Sequence, residues 1–436
     1  QWKHSFADGS VLRESQLMAY AGSRSVTQFQ AIATTAAAQT ASGGSGGVVD
    51  FDRSYRGVDA RLGWQLGPVD LVTGIDIEDL VDERRGYLNF TGTGATRQLG
   101  VVGTLRRDET NRASSRDAYV QAQVPLSAGL ALTGGLRGGQ VTMRTADHYT
   151  SNGDDSGDLD FNYLNPVLGL RWTLAPGWTV HASAARGFES PTLTELAYKP
   201  AGQTEAGFNR ALSGQTSRQF ELGSKWRSRG LELDAALFQA DTADEIGTLS
   251  NTGGRAVFQN VGRTQRRGLE ASLVWQALPS LRLQAAATWL QAEYLDSFVT
   301  CTATPCNPAA KPAVGVAAVA AGNRISGTTG AMAYAEAAWR PGASLGEFGV
   351  EWRAVGRVAA NDLNSAWANG YALMALRWRG SLALGPVDAL ELLARLDNAF
   401  DRVYAGSVIV NDANGRFFET GAPRNALVSL RWQHRW

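Results

Sequence analysis

The sequence predicts an all-β fold, a transmembrane antiparallel β-barrel of about sixteen strands that takes in residues 1–436 as one barrel domain. Three observations predict it. Apolar residues fall on alternate positions in one segment after another, short turns alternate with long polar connections, and tryptophans gather near the strand ends.

The alternation is plainest between residues 164 and 184. Leu164, Leu168, Leu170, Trp172 and Leu174 share one face while Asn165, Arg171 and Thr173 fall between them, which is the two-residue period of a strand. Ala175-Pro176-Gly177 turns the chain, and Trp178, Val180, Ala182 and Ala184 resume against Thr179, His181 and Ser183. The next hairpin follows the same rule. Phe220, Leu222 and Trp226 alternate with Glu221, Lys225 and Arg227; after Ser228-Arg229-Gly230, Leu231, Leu233, Ala235 and Leu237 alternate with Glu232 and Asp234. One face carries all the charges.

Further short turns recur at Gly67-Pro68, Ser127-Ala128-Gly129, Leu278-Pro279-Ser280, Pro341-Gly342 and Gly385-Pro386. Between the hairpins lie long connections at about 31–48, 90–108, 149–158, 190–216, 247–254, 298–322, 359–366 and 403–421. Short turns at one end and long loops at the other is the layout of a bacterial outer-membrane barrel. A soluble sandwich also alternates, and there Glu351, Arg353 and Arg357 would face water opposite Phe348, Val350 and Trp352. Two features favour the membrane. Trp64, Trp172, Trp178, Trp226, Trp275, Trp339, Trp378 and Trp432 sit where an interfacial aromatic girdle belongs, and the alternating runs are long enough for a tilted membrane strand.

Composition narrows the partners. In 436 residues, 41 Lys plus Arg balance 41 Asp plus Glu, so no basic footprint for nucleic acid exists. Charged residues make up 19%, with 49 Gly and 13 Trp, an unusual balance for a soluble domain. No apolar run is long enough for a membrane helix; Ala313 to Ala321 is too short and too rich in small residues. Cys301 and Cys306 lie in a Thr/Pro/Asn-rich stretch that favours a small surface disulfide and an oxidising compartment over a two-sulfur metal site. Gln1-Trp2-Lys3-His4 has none of the apolar character of a signal peptide.

Longer motifs carry a family resemblance. Ala185-Arg186-Gly187-Phe188-Glu189-Ser190-Pro191-Thr192, then Leu193-Thr194-Glu195-Leu196, Ser217 to Gly223, Asn260-Val261-Gly262 and Arg267-Gly268-Leu269-Glu270 follow one another in order. Leu396 to Tyr404 and Gly421-Ala422-Pro423-Arg424 complete the series. From about Val49 to Trp436 the chain resembles the barrel of a TonB-dependent outer-membrane receptor. The ending resembles the C-terminal signal strand of outer-membrane proteins, with Ala426, Val428, Leu430, Trp432, His434 and Trp436 on one face. The resemblance implies a bacterial outer-membrane location and reading of that strand by the barrel-assembly machinery. A family member carries an N-terminal plug with a TonB-contacting box before a barrel of about twenty-two strands; this sequence has no plug, and it would begin near the end of the sixth strand. The run from Gly187 to Leu196, with Asn209 and Gly253-Gly254-Arg255, is closest to receptors proposed for pyrroloquinoline quinone or related small chelates.

The resemblance therefore implies energised uptake of a scarce compound: an iron-siderophore, another metal chelate, or a cofactor such as pyrroloquinoline quinone. No cofactor and no catalysis are expected. Binding residues are sought at the strand ends and in the long loops, where a wet, concave mouth would form. Arg144, His148, Tyr149, Arg186, Glu189, Tyr198, Arg255, Asn260 and Arg263 are the candidates, because arginine forks suit anionic oxygens and aromatic rings stack on flat ligands. Each could equally be a loop residue or the partner of a charge on the barrel's inner face. A passive sixteen-stranded porin is the rival reading.

Enzyme motifs find no support. Gly43-Gly44-Ser45-Gly46-Gly47 matches a nucleophile elbow formally, without the strand and helix an elbow needs. The 4 histidines, His4, His148, His181 and His434, never pair at metal-ligand spacing. Asn152 to Asp160 is rich in oxygen ligands but departs from the EF-hand pattern, and Asp412-Ala413-Asn414-Gly415 is a turn. Glu221, Lys225, Arg227, Glu232 and Asp234 fit either a lumenal path for a ligand or, as the plainer reading, a cross-strand charge ladder lining a wet lumen.

Overall fold

In a computed structural model, the described residues are all except 31–46, 94–95, 201–206, 253–254, 304–305, 343, 413–414 and 435–436, with nothing said of the side chains at 252 and 255. Gly43 to Gly46, Gly253-Gly254, Ala413-Asn414 and the terminal Trp436 thus lie outside the described residues.

Each long alternating run pairs antiparallel with the next, and the result is a 17-stranded sheet in sequence order. The strands are β1 (Trp2–Ser5), β2 (Leu12–Gln30), β3 (Gly47–Leu66), β4 (Val69–Tyr87), β5 (Leu105–Ser127) and β6 (Leu130–Asp147). Then follow β7 (Gly157–Ala175), β8 (Trp178–Glu189), β9 (Gln215–Ser228), β10 (Leu231–Ala243), β11 (Thr264–Leu278) and β12 (Leu281–Tyr294). The last are β13 (Ala331–Gly342), β14 (Gly346–Val355), β15 (Tyr371–Ala383), β16 (Asp388–Asp397) and β17 (Asn425–His434).

Two sequence expectations need correction. The sheet has 17 strands where about sixteen were expected, because β1, only 4 residues long, is too short to display an alternation; it pairs with β2 across a turn at Ala7–Ser10. Among the described residues β1 and β17 each pair on one side only. The connections at the long-loop end also hold structure of their own, with small two-stranded pairs such as Ile246–Thr252 with Arg255–Asn260 and Phe298–Cys301 with Val316–Val319.

The short turns form where glycine permits them. Gly177 has φ +81°, and a Cβ there would fall 2.2 Å from the Arg227 carbonyl oxygen that the next hairpin presents. On the strands, glycine makes room for rings: Gly57 stands opposite Tyr20, whose ring occupies the space a Cβ would need.

The two sides of the sheet differ as the period demands. We call the belt side outer and the other inner. Leu168, 55% exposed, lies on the outer side with Leu164, Leu170 and Trp172. Trp178 faces Trp226 directly across β8 and β9, and Trp339 and Trp378 both flank Phe348, so the aromatic residues line the short-turn end. The inner side is ionic. Arg53 grips Asp82 through two bonds of 2.7 Å, Arg377 reaches Glu336 at 2.6 Å, and Arg395 reaches Glu351 at 2.7 Å. Arg227 lies 3.4 Å from Glu232 and 3.3 Å from Asp234, and His181 3.0 Å from Glu221. Such groups are stable beside water and would be costly against hydrocarbon.

The register sets a test. Leu168→Arg should destabilise the folded protein by about 2 to 4 kcal/mol in refolding titrations in lipid, because it places a cation in mid-belt. Thr173→Arg, on the inner side, should cost little, and the reverse order would sink the face assignment.

Candidate ligand-binding site

The long-loop end is built by loops that bond to one another in sequence. The loop after β8 contains a short 3-10 turn at Glu195–Ala197 and tucks Leu196, Phe208 and Leu212 against Met143, with Val141, Leu159 and Phe161 of the inner wall around them. Lys199 meets Asp155 of the preceding loop at 2.8 Å, and Arg210 donates to the Ser156 carbonyl at 3.0 Å. Buried Asn209 donates to the Phe258 carbonyl at 3.0 Å, so the loop after β8 is tied to the loop after β10. Thr300 and Gln259 continue the chain of contacts through the carbonyls of Leu249 and Val299.

Asp362 is the next knot. Only 2% exposed, it accepts from Tyr294 Oη at 2.7 Å, from Ser326 and from Asn411 Nδ2 at 2.8 Å. One carboxylate therefore joins three successive loops and the top of β12. A second apolar cluster, Val261, Ala292, Tyr294, Val319 and Ile325, packs beside it.

Beneath the loop after β8 lies a compact charged group. Arg107 meets Glu109 at 2.6 Å, donates to the Ala197 carbonyl at 3.1 Å and stands 5.2 Å from the centre of the Tyr198 ring. Arg84 approaches the same Glu109 at 3.6 Å. Two guanidiniums against one carboxylate leave a surplus positive charge beside an aromatic ring, an arrangement suited to a flat anion.

The candidate residues do not all come together. Tyr198 belongs to this group. Asn260 braces the loops after β8 and β10, donating to the carbonyls of Ser213 at 3.1 Å and Asp244 at 2.7 Å. Arg263 grips Asp296 with bonds of 3.0 and 2.8 Å, and Glu189 accepts from Gln215 at 2.7 Å. The Tyr149 amide donates to Asp147 at 2.9 Å. His148 lies 3.0 Å from Thr110, whose register places both on the outer side, as it does Arg144 and Arg186. The Arg255 side chain is outside the described residues. Arg84, Arg107, Glu109 and Asp362 escaped sequence reasoning; the alternation of Arg107 and Glu109 with Arg106 and Asp108 looks like a charged loop, although β5 already begins at Leu105. Cys301 and Cys306 form a disulfide with a Cα separation of 5.8 Å. Among the described residues no group of three or more His, Cys, Asp or Glu could hold a metal ion.

The strand meander, the ionic inner wall and the interlocked loops at one end now meet the comparison with known proteins. A family model described as TonB dependent receptor-like, beta-barrel matches residues 1–399. The chain belongs to the TonB-dependent receptor family. It is 28% identical over 218 residues to the ferric enterobactin receptor PirA of Pseudomonas aeruginosa, covering 45% of this chain and 27% of PirA. It is 24% identical over 186 residues to the pesticin receptor of Yersinia enterocolitica, covering 41% of this chain and 26% of that protein. Among solved structures, the copper transporter OprC matches with a TM-score of 0.74 at 14% identity over 99% of this chain and 64% of OprC. The ferric citrate transporter FecA matches with a TM-score of 0.74 at 15% identity, over 99% of this chain and 60% of FecA. The chain thus spans about a quarter of the curated relatives and under two thirds of these structures.

The loop contacts of this TonB-dependent receptor chain set two tests. Asp362→Ala strands the Tyr294 hydroxyl, Ser326 and Asn411 without their shared acceptor, at about 1 to 3 kcal/mol for each buried group left unpaired. Limited proteolysis should then cut within residues 295–330 and 398–424 while the strand content measured by circular dichroism persists; unchanged cleavage would remove Asp362 as the knot. The second concerns Arg263, which holds the Asp296 carboxyl down at about 2. A depressed carboxyl contributes stability above its ordinary range and loses it as pH falls through its lowered value, so the pair should survive to about pH 3. Carboxyl NMR should show Arg263→Ala returning the Asp296 midpoint toward 3.8, and a midpoint that stays low would exclude Arg263 as the cause.

Proposed function

We propose that the intact protein is an uptake receptor of the bacterial outer membrane, taking in a scarce anionic chelate with energy delivered through TonB. The class includes iron-siderophores, other metal chelates and cofactors such as pyrroloquinoline quinone. The observation that carries the reading is the family match across the strand meander, and the interlocked loops support it by forming a structured end at which Tyr198, Arg107 and Arg84 meet. The named relatives point the same way: a ferric enterobactin receptor, a ferric citrate transporter and a copper transporter.

On this reading the sheet is part of a closed barrel, its outer side meets lipid and its inner side lines the lumen. Tyr198 stacks on the ligand and the surplus guanidinium charge takes its carboxylate or phenolate oxygens. Candidates Asn260, Arg263 and Glu189 act by fixing the loops that present them. A plug elsewhere in the intact protein contacts TonB, and the barrel-assembly machinery reads β17 and the residues after it. The protein makes and breaks no bond in its cargo.

Uptake of a panel of radiolabelled ferric chelates and of pyrroloquinoline quinone, by cells carrying the intact receptor, tests this directly. Accumulation should require the proton motive force, and a protonophore should abolish it; flux that persists with the force collapsed would establish a passive pore instead. Tyr198→Ala should weaken binding of the transported compound by about three- to tenfold.

A further inference from the structure

We propose that the outer side of β3 to β7 carries a binding site for a phosphorylated lipid head group, built on Arg112, Arg116 and Arg144. The inference rests on the membrane reading above and adds to it a specific ligand and its residues.

The argument starts from where the belt stops. On β5 the outer positions Leu126, Val124, Ala122, Val120 and Ala118 are apolar or small, and the next is Arg116. On β6 the outer positions from Leu130 to Gly138 are likewise apolar or small, and the next are Gln140, Thr142 and Arg144. The same break falls between Val58 and Arg56 on β3 and between Ile77 and Asp79 on β4. A tilted membrane strand takes about 9 to 11 residues, a length that runs from Leu126 to Arg116 and from Leu130 to Gln140. Arg116 therefore stands where hydrocarbon ends, and Arg112 and Arg144 stand one or two pleats beyond it, at head-group height.

The charges there are arranged for an absent anion. Arg112 and Arg144 are directly opposed in the β5–β6 register, a like-charge pairing that is unfavourable by itself. All three arginines are exposed, and among the described residues none of the three makes a hydrogen bond or ion pair. Two acids share the groove and already have partners there: Asp79 lies 3.6 Å from Arg56, and Asp160 accepts from Thr142. Asp158 stands opposite Arg144 in register, and among the described residues the two form no ion pair. The arginines border a groove of about 860 Å³, whose lining adds Ser114 and Gln140 as further donors beside Arg56, Asp79 and Asp160. A phosphate oxyanion held between Arg112 and Arg144 turns their repulsion into two charge-assisted contacts. Free phosphate shares that chemistry, but the position immediately above an apolar belt selects a phosphate that is anchored by acyl chains on the belt below.

The test uses the intact receptor in detergent, with native mass spectrometry reading bound lipid. The probes are bis-phosphorylated lipid A and the same lipid with its phosphates removed. The phosphorylated form should bind about thirtyfold more tightly, and Arg112→Gln with Arg144→Gln should abolish that preference. The lysine pair, Arg112→Lys with Arg144→Lys, should retain most of it and certify that the fold is intact. Equal binding of the two lipids by the natural protein, or an undiminished preference in the glutamine pair, overturns the proposal. Displacement of the lipid by low-millimolar inorganic phosphate overturns the lipid assignment. Failure to bind either lipid would instead count against the membrane reading itself.

Discussion

A peptide group that enters hydrocarbon must find its hydrogen-bond partner within the protein, and in this chain each long strand finds it in the next long strand along the sequence. That single requirement explains why the connections at one end are as short as glycine turns allow. It also explains why the side-chain period is so strict. With the backbone committed to the ladder, each residue can choose only between two sides, and a slip of one position would carry Arg53 or Glu351 into the belt. The ion pairs of the inner side, half-buried as they are, are thus a consequence of the register before they are a source of stability.

Much of this was legible in the amino-acid sequence. Leu164 to Trp172 and Phe220 to Trp226 declare their strands because one side is apolar and the other is not. The signal fails where both sides meet water. Beyond the belt, β5 reads Leu105-Arg106-Arg107-Asp108-Glu109, which has no hydrophobic period although it is regular strand. Shortness hides β1, and it hides the small strand pairs within the long connections.

The candidate site was less legible, for a related reason. Residue chemistry nominated Arg144, Arg186 and His148 alongside Tyr198, but side depends on parity, and parity places the first three on the outer side. Asp362 and Asn209 matter through partners in distant loops, Asn411 and Phe258 among them, and nothing in their local sequence announces those partners. Tyr198 carried a signal through its ring, while its approach to Arg107 is set by the fold of the loop after β8.

The strands are not of equal length. β2 to β7 each run 18 to 23 residues, whereas β8 to β17 run 10 to 15. All rise from short turns at one end, so the first group makes a parapet and the second a low sill. The loops rooted on the sill lean toward the parapet, and Leu196, Phe208 and Leu212 come to rest against its inner wall at Met143. The rim of the sheet is thus stepped, and the contact at Met143 joins its low part to its high part.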